Sequence, residues 1–272
     1  MSDSRAGAAD LEILFRIGAA VQATLRQTRG SPHRGDVVAM GASGAPTEEI
    51  DQLAERSILA RLDEEGVDWD FLGEEIGHVR RGGGPLLVVD PVDGTYNVLR
   101  GVPFAAVSLA LGRGTLAGVE IGMVRDLYRG TTFWAQRGGG AFRDGHLIAV
   151  RPWDRRHDLF FASLGRHVAT RAVERARRAR RIRSLGCASL ELAHVASGAG
   201  DAYLFENEPE ELNLRATDIA AGYRILLEAG GGIVDARRRS IDDFPLTIDR
   251  RTSVFAYGDR EIVSADAIGD PP

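Results

Sequence analysis

The stretch that most constrains this chain is the apolar run Leu86-Leu87-Val88-Val89, which leads directly into Asp90-Pro91-Val92-Asp93-Gly94-Thr95. An uninterrupted apolar run of this length reads as a strand buried on both faces, so its sheet needs a cover on each side. The strand delivers Asp90 to its carboxyl end, where sheets covered by helices keep their sites. Pro91 is expected to force a turn, and Asp93 follows three residues after Asp90, so both carboxylates can face one crevice. Two close carboxylates without compensation raise one pKa strongly. A divalent cation is the simplest remedy, and oxygen donors without Cys or His favour Mg²⁺. Gly94-Thr95 then offers backbone N–H groups at the opening of a helix, where phosphate is favoured. The same residues also fit a structural Asp-Gly turn, so metal and phosphate binding need support from the rest of the chain.

Periodicity arranges that rest. Leu11, Leu14, Phe15, Gly18, Val21 and Leu25 form one stripe of an amphipathic helix over 11–28. Residues 30–46, rich in Gly, Ser and Pro, read as a loop, and Thr47 is expected to cap a second helix with Glu48 and Glu49 in its first turn. In that helix Asp51 shares a flank with Ala54 and Ile58, which places its carboxylate at the edge of the buried face. From 104 to 150 short alternating segments broken by Gly predict an antiparallel meander. Beyond about residue 153 strands and helices alternate, with helices expected over 168–180, 188–198 and 218–229. The division expected is an N-terminal half, 1–152, and a C-terminal half, 153–272, sharing one interface.

Composition removes several function classes. The net charge of −5 argues against a protein that grips nucleic acid over its whole surface. The arginines at 171, 175, 177, 178 and 180 read as the solvated face of a helix whose Ala172, Ala176 and Ala179 point inward. The single cysteine, Cys187, excludes an intrachain disulfide framework and a Cys-rich zinc site. No run approaches the ~18 apolar residues of a membrane span. Asp10, Glu12 and Arg16 interrupt any secretory-type leader, so a cytoplasmic location is the expectation. All 34 basic residues are arginine, which excludes chemistry that needs a lysine.

Further segments shift the balance towards a metal-phosphate site. Gly73-Glu74-Glu75 precedes the buried strand, and Asp218-Ile219-Ala220-Ala221-Gly222 opens a helix that runs to Glu228-Ala229-Gly230-Gly231. In isolation Asp218 reads as an N-cap. In order along the chain, these segments resemble the inositol monophosphatase superfamily. Gly41 to Thr47, with Ile50-Asp51, looks like its archaeal-type branch of enzymes acting on inositol monophosphates and fructose 1,6-bisphosphate.

The resemblance implies an α+β fold, a layered αβαβα sandwich, commonly dimeric. It implies a Mg²⁺-dependent phosphate monoester hydrolase with two or three ions, acting on a small polyol or sugar phosphate. Glu74, Asp90 and the Val92 carbonyl would hold the first ion, and Asp90, Asp93 and Asp218 the second. Thr95, hydrogen-bonded to Asp51, would orient the attacking water with help from Glu74. Asp93, Gly94, Thr95, Ala188, Glu206 and Arg215 would contact the substrate.

Three departures stand out. Ser43 replaces a loop aspartate, which bears on a third ion. Thr217 replaces a tryptophan, a change expected to affect packing more than chemistry. The stretch Phe205 to Leu214 is longer and more acidic than its counterparts, which leaves substrate choice open. Aspartyl-phosphate phosphatases share an Asp-Gly-Thr sequence, but their two aspartates stand two residues apart and they use a lysine. A non-catalytic metal-dependent regulatory protein on the same fold, and a 3′-phosphoadenosine 5′-phosphate phosphatase, are the alternatives.

Overall fold

In the computed structural model, which describes residues 7–28, 33–44 and 46–267, the first apolar stripe becomes α1 (Ala8–Gln27) with Leu14, Ile17 and Val21 fully buried. The segment read as a loop over 30–46 lies partly outside the described residues. Its described part instead forms β1 (Val37–Met40), paired antiparallel with β2 (Pro46–Glu48). Thr47 is therefore a strand residue and not a helix cap. Glu48 precedes α2 (Glu49–Glu65), and the Thr47 hydroxyl donates to Glu75 Oε2.

The central sheet gathers β3 (Asp70–Gly73), β4 (Gly77–Val79) and β5 (Leu86–Asp93), with α3 (Thr95–Arg100) following directly. It continues through β6 (Ala106–Gly112), β7 (Val119–Asp126), β8 (Thr132–Gln136), β9 (Gly140–Arg143) and β10 (His146–Ile148). The strand order is β10-β9-β8-β7-β6-β5-β3-β4, so the antiparallel meander is continued by β5, with β3 parallel to it. The second sheet, of order β12-β11-β13-β15-β14, comprises β11 (Phe160–Ala162), β12 (Ile182–Arg183), β13 (Ala202–Phe205), β14 (Gly232–Val234) and β15 (Val254–Tyr257). The remaining helices are α4 (Thr170–Ala176), α5 (Ala188–Ala196), α6 (Ala216–Glu228) and α7 (Arg260–Ala267).

Side-chain alternation along β5 explains the layering. Leu87 and Val89 face α1 and α2 in one core, while Val88 faces the opposite core with Leu190 and Leu192 of α5 and Ile219 and Tyr223 of α6. That second core also takes in Phe161, Tyr203 and Ala256 from the five-stranded sheet. The outer face of that sheet packs Phe160, Leu204 and Phe255 against Ala176 of α4 and Ile262 of α7. The result is a five-layer αβαβα sandwich. Each fully buried Leu, Ile or Phe in these cores contributes about 1.5–3 kcal/mol.

Two local expectations change. Pro91 makes no turn. Asp90 pairs with Ser108 and Asp93 with Ala106, so β5 carries one residue more than β6 across this interval, a bulge that an imino residue without an N–H tolerates. The helix expected over 168–180 ends at Ala176, and beyond it the Arg180 N–H donates to the buried Asp158 carboxylate at 2.7 Å. Arg175 is not on a solvated face: it is buried and donates to the Ala236 carbonyl at 2.6 Å. Among the described residues no helix is long and apolar enough to cross a membrane.

Candidate active site

The bulge at the end of β5 places both Asp90 and Asp93 on the side of α5 and α6, while the Val92 side chain packs into the opposite core with Leu87 and Val89. The Asp90 carboxylate accepts the Val92 N–H at 3.1 Å. Glu74 reaches the same place from the turn between β3 and β4. That turn is held from below by Glu55 of α2, fully buried, which accepts the N–H groups of Glu75 at 3.0 Å and Ile76 at 2.8 Å. Gly73 leaves room for it, since a Cβ there would collide with the Glu55 carboxylate. Asp218 arrives from the first turn of α6, where it accepts the Arg215 N–H at 2.6 Å rather than serving as the N-cap.

Among the described residues Glu74, Asp90 and Asp218 form one cluster able to hold a metal ion, with donor oxygens all within 4.8 Å of one another. Asp93 stands outside that cluster. Its carboxylate accepts the Ala188 N–H at 3.2 Å and the Ser189 N–H at 2.6 Å, the first amides of α5. A carboxylate at a helix N-terminus is favoured by the orphan donors and the dipole there. Ala188 thus holds Asp93 through its backbone.

Thr95 opens α3 behind Gly94, where a φ of 92° and the nearby Phe104 and Gly186 carbonyls would strain any side chain. The Thr95 hydroxyl lies 3.0 Å from Asp51 Oδ1 and 2.8 Å from the Val92 carbonyl oxygen. It has a single proton and donates to one of them at a time. Asn97 fastens this corner to the second half of the chain, donating to the Phe104 carbonyl at 2.8 Å and the Leu185 carbonyl at 2.7 Å.

The electrostatics follow from the packing. Burial pushes the Asp90 carboxyl well above the usual range, and Asp93, Glu74, Asp218 and Asp51 add like charge. Asp218 is raised by burial and then by Glu74. Asp51 is raised by burial, against the opposing hydrogen bond from Thr95. Burial raises Asp93 too, opposed by the Ser189 and Ala188 donors. A cation is the natural complement of such a set, and the all-carboxylate donors suit a hard divalent ion.

Beside the cluster lies a cavity of about 160 Å³ lined by Asp93, Ser163, Ala188, Glu191, Tyr203 and Asp218. Glu206 does not line it. Its carboxylate pairs with Arg171 and borders a separate charged cleft of about 460 Å³ that includes Asp235 and Arg251. Arg215 donates to Glu74 Oε1 at 3.2 Å and to the Ser43 carbonyl at 3.1 Å. Thr217, expected to matter for packing, donates its hydroxyl to Glu74 Oε1 at 2.7 Å. Sequence reasoning missed Glu55 and Glu191, both buried acids. Burial raises Glu55 to about 7 and Glu191 to about 8. Their only sequence signal is an acid inside an otherwise apolar helical stripe.

The model of the inositol monophosphatase family matches residues 8–266. The chain belongs to this family. A fructose-1,6-bisphosphatase/inositol-1-monophosphatase of Methanothermobacter thermautotrophicus is 35% identical over 266 residues, covering 92% of each chain. A bifunctional NADP phosphatase/NAD kinase of Methanococcus maripaludis is 31% identical over 95% of this chain, which spans 48% of that longer relative. Among solved structures, a Pyrococcus horikoshii protein described as having similarities to inositol-1 monophosphatase superposes with a TM-score of 0.80. It is 25% identical and covers 96% of this chain and 98% of its own.

Proposed function

We propose that this protein is a Mg²⁺-dependent phosphatase that hydrolyses the phosphate monoester of a small polyol or sugar, with inositol 1-phosphate and fructose 1,6-bisphosphate as the leading substrates. The observation that carries the reading is the convergence of Glu74, Asp90 and Asp218 beside a Thr95 hydroxyl already paired with Asp51. Glu74, Asp90 and Asp218 would hold the ion, with Asp93 and the Val92 carbonyl adjoining. When bound, Mg²⁺ would neutralise phosphoryl charge and lower the pKa of a water.

The chain's own contribution is orientation and proton movement. With its proton donated to Asp51 Oδ1, Thr95 Oγ1 can accept a hydrogen bond from a water. As that water attacks phosphorus, its proton passes to Thr95 and the Thr95 proton to Asp51, while the bond between phosphorus and the ester oxygen breaks. The departing alkoxide takes a proton from solvent, leaving inorganic phosphate and the free alcohol. The raised pKa of buried Asp51 makes it a better acceptor than an exposed aspartate. The 160 Å³ cavity beside Asp93 and Asp218 suits the alcohol portion of a small ester. The sugar-phosphate assignment agrees with the name of the Methanothermobacter thermautotrophicus relative, whereas the Methanococcus maripaludis relative carries NADP phosphatase in its name.

The test is phosphate release in Mg²⁺ from a panel of inositol 1-phosphate, fructose 1,6-bisphosphate, NADP and 3′-phosphoadenosine 5′-phosphate. Turnover of the first two that disappears in EDTA supports the reading. A strong preference for either nucleotide overturns the substrate assignment, and full activity in EDTA overturns the mechanism.

A further inference from the structure

One stretch, Arg215 to Asp218, presents one acid of the cluster and touches two other segments of the site. The Arg215 backbone N–H holds Asp218 at 2.6 Å, and its Nη1 donates to Glu74 Oε1 at 3.2 Å. Nη2 donates at 3.1 Å to the carbonyl of Ser43, in the loop that joins β1 to β2. Two residues on, the Thr217 hydroxyl donates to the same Glu74 oxygen at 2.7 Å. Arg215 and Thr217 are 6% and 1% exposed, so neither contact is an incidental surface pairing. The loop is further fastened to the Glu74 turn by the Ala42 N–H on the Glu75 carbonyl and the Ser43 N–H on the Glu74 carbonyl, both at 2.9 Å.

We propose that Arg215 and Thr217 form a clamp on Glu74 that fixes it for cation binding and latches the 41–44 loop beside the acidic cluster. Both donors take Oε1, which leaves Oε2 for an ion. Hydrogen bonds to one part of a ligating carboxylate restrict the orientation of the rest and are a main determinant of metal affinity. The guanidinium also bridges two segments that have no covalent connection near the site. Because Arg215 immediately precedes α6, the position of the loop is tied to the same helix that presents Asp218. Arg215 and Thr217 are thus positioning residues. The inference rests on the metal-dependent reading of the site and adds to it a structural link between loop and metal ligand.

The test needs no substrate. Calorimetric titration of Mg²⁺ into Thr217→Val should show affinity weakened about tenfold or more, with Thr217→Ser close to wild type. In Arg215→Gln, hydrogen exchange in the peptide spanning 37–48 should be about tenfold faster, since a charge-assisted contact is lost. Exchange in β5 and β6 should be unchanged, which separates release of the loop from general destabilisation. Wild-type affinity in Thr217→Val, or an unaltered exchange rate of the loop in Arg215→Gln, overturns the clamp. A wild-type protein that binds Mg²⁺ but releases phosphate from no ester refutes the phosphatase reading, while the clamp still stands or falls on the titration and the exchange rates.

Discussion

Removing the charge of the acidic cluster should stabilise the metal-free protein and abolish its response to Mg²⁺. Donor oxygens of Glu74, Asp90 and Asp218 lie within 4.8 Å of one another, where two full charges repel by about 3.5 kcal/mol in an effective dielectric of about 20. Three such pairs would match the entire stability of an ordinary domain, about 5–15 kcal/mol, so the metal-free site must take up protons instead. Burial raises Asp90, Asp93 and Asp218 above the usual carboxylate range, and neighbouring like charges add to the shift at Asp90 and Asp218. A folded-state pKa above the unfolded value means that the native state binds protons more tightly. Stability is then greatest below the unfolded pKa of about 4 and is lost as pH climbs through the folded values.

Mg²⁺ reverses that loss by binding the native site and not the unfolded chain. At a hundredfold excess over Kd the gain is about 2.7 kcal/mol, which corresponds to roughly 5–11 °C in Tm for a chain of this size. Melting should be followed by circular dichroism at pH 8 and pH 4.5, in EDTA and in Mg²⁺, with NaCl matching the ionic strength. The rise should appear at pH 8 and shrink at pH 4.5, where protons compete for the ligands. The Asp90→Asn/Asp218→Asn variant should melt above wild type in EDTA at pH 8 and gain little from Mg²⁺. An equal Mg²⁺ shift in that variant, or reproduction of the wild-type shift by NaCl, would refute the reasoning.

Other consequences follow from individual contacts. Asp51→Asn should lower kcat by about 10²–10⁴-fold and remove the low-pH limb of the pH–rate profile, a limb displaced above the ordinary carboxylate range; an unchanged limb would exclude Asp51 as the proton acceptor. Glu55, raised to about 7 by burial, costs stability increasingly from its ordinary value of 4.5 up to pH 7 and uniformly above it. Urea denaturation of Glu55→Gln should therefore show a pH dependence flattened by about 3 kcal/mol across that window. Asp93→Asn, which leaves one carbonyl oxygen for two α5 amides, should cost about 1–2 kcal/mol in the same assay while eliminating turnover.

Much of the architecture follows from periodicity that is local in the chain. The double-faced run at Leu86–Val89, the Gly-broken meander and the alternating second half set element types because strand and helix periods leave distinct apolar patterns. The acids of the site were visible as well, since Asp90 and Asp93 follow a buried strand and Asp218 opens a helix. What the tertiary structure alone decided is which donor meets which acceptor. Thr47 fits a cap signature, yet the β1–β2 pairing carries its hydroxyl to Glu75. Asp93 is one of four acids near a single crevice, but the α5 amides, about a hundred residues along the chain, claim its carboxylate. Glu206 and Arg215 carry no local signal that separates their partners; packing pairs the first with Arg171 and the second with Glu74. Hydrogen bonds act over about 3 Å, so these choices depend on how layers distant in sequence are stacked, and local pattern does not encode that stacking.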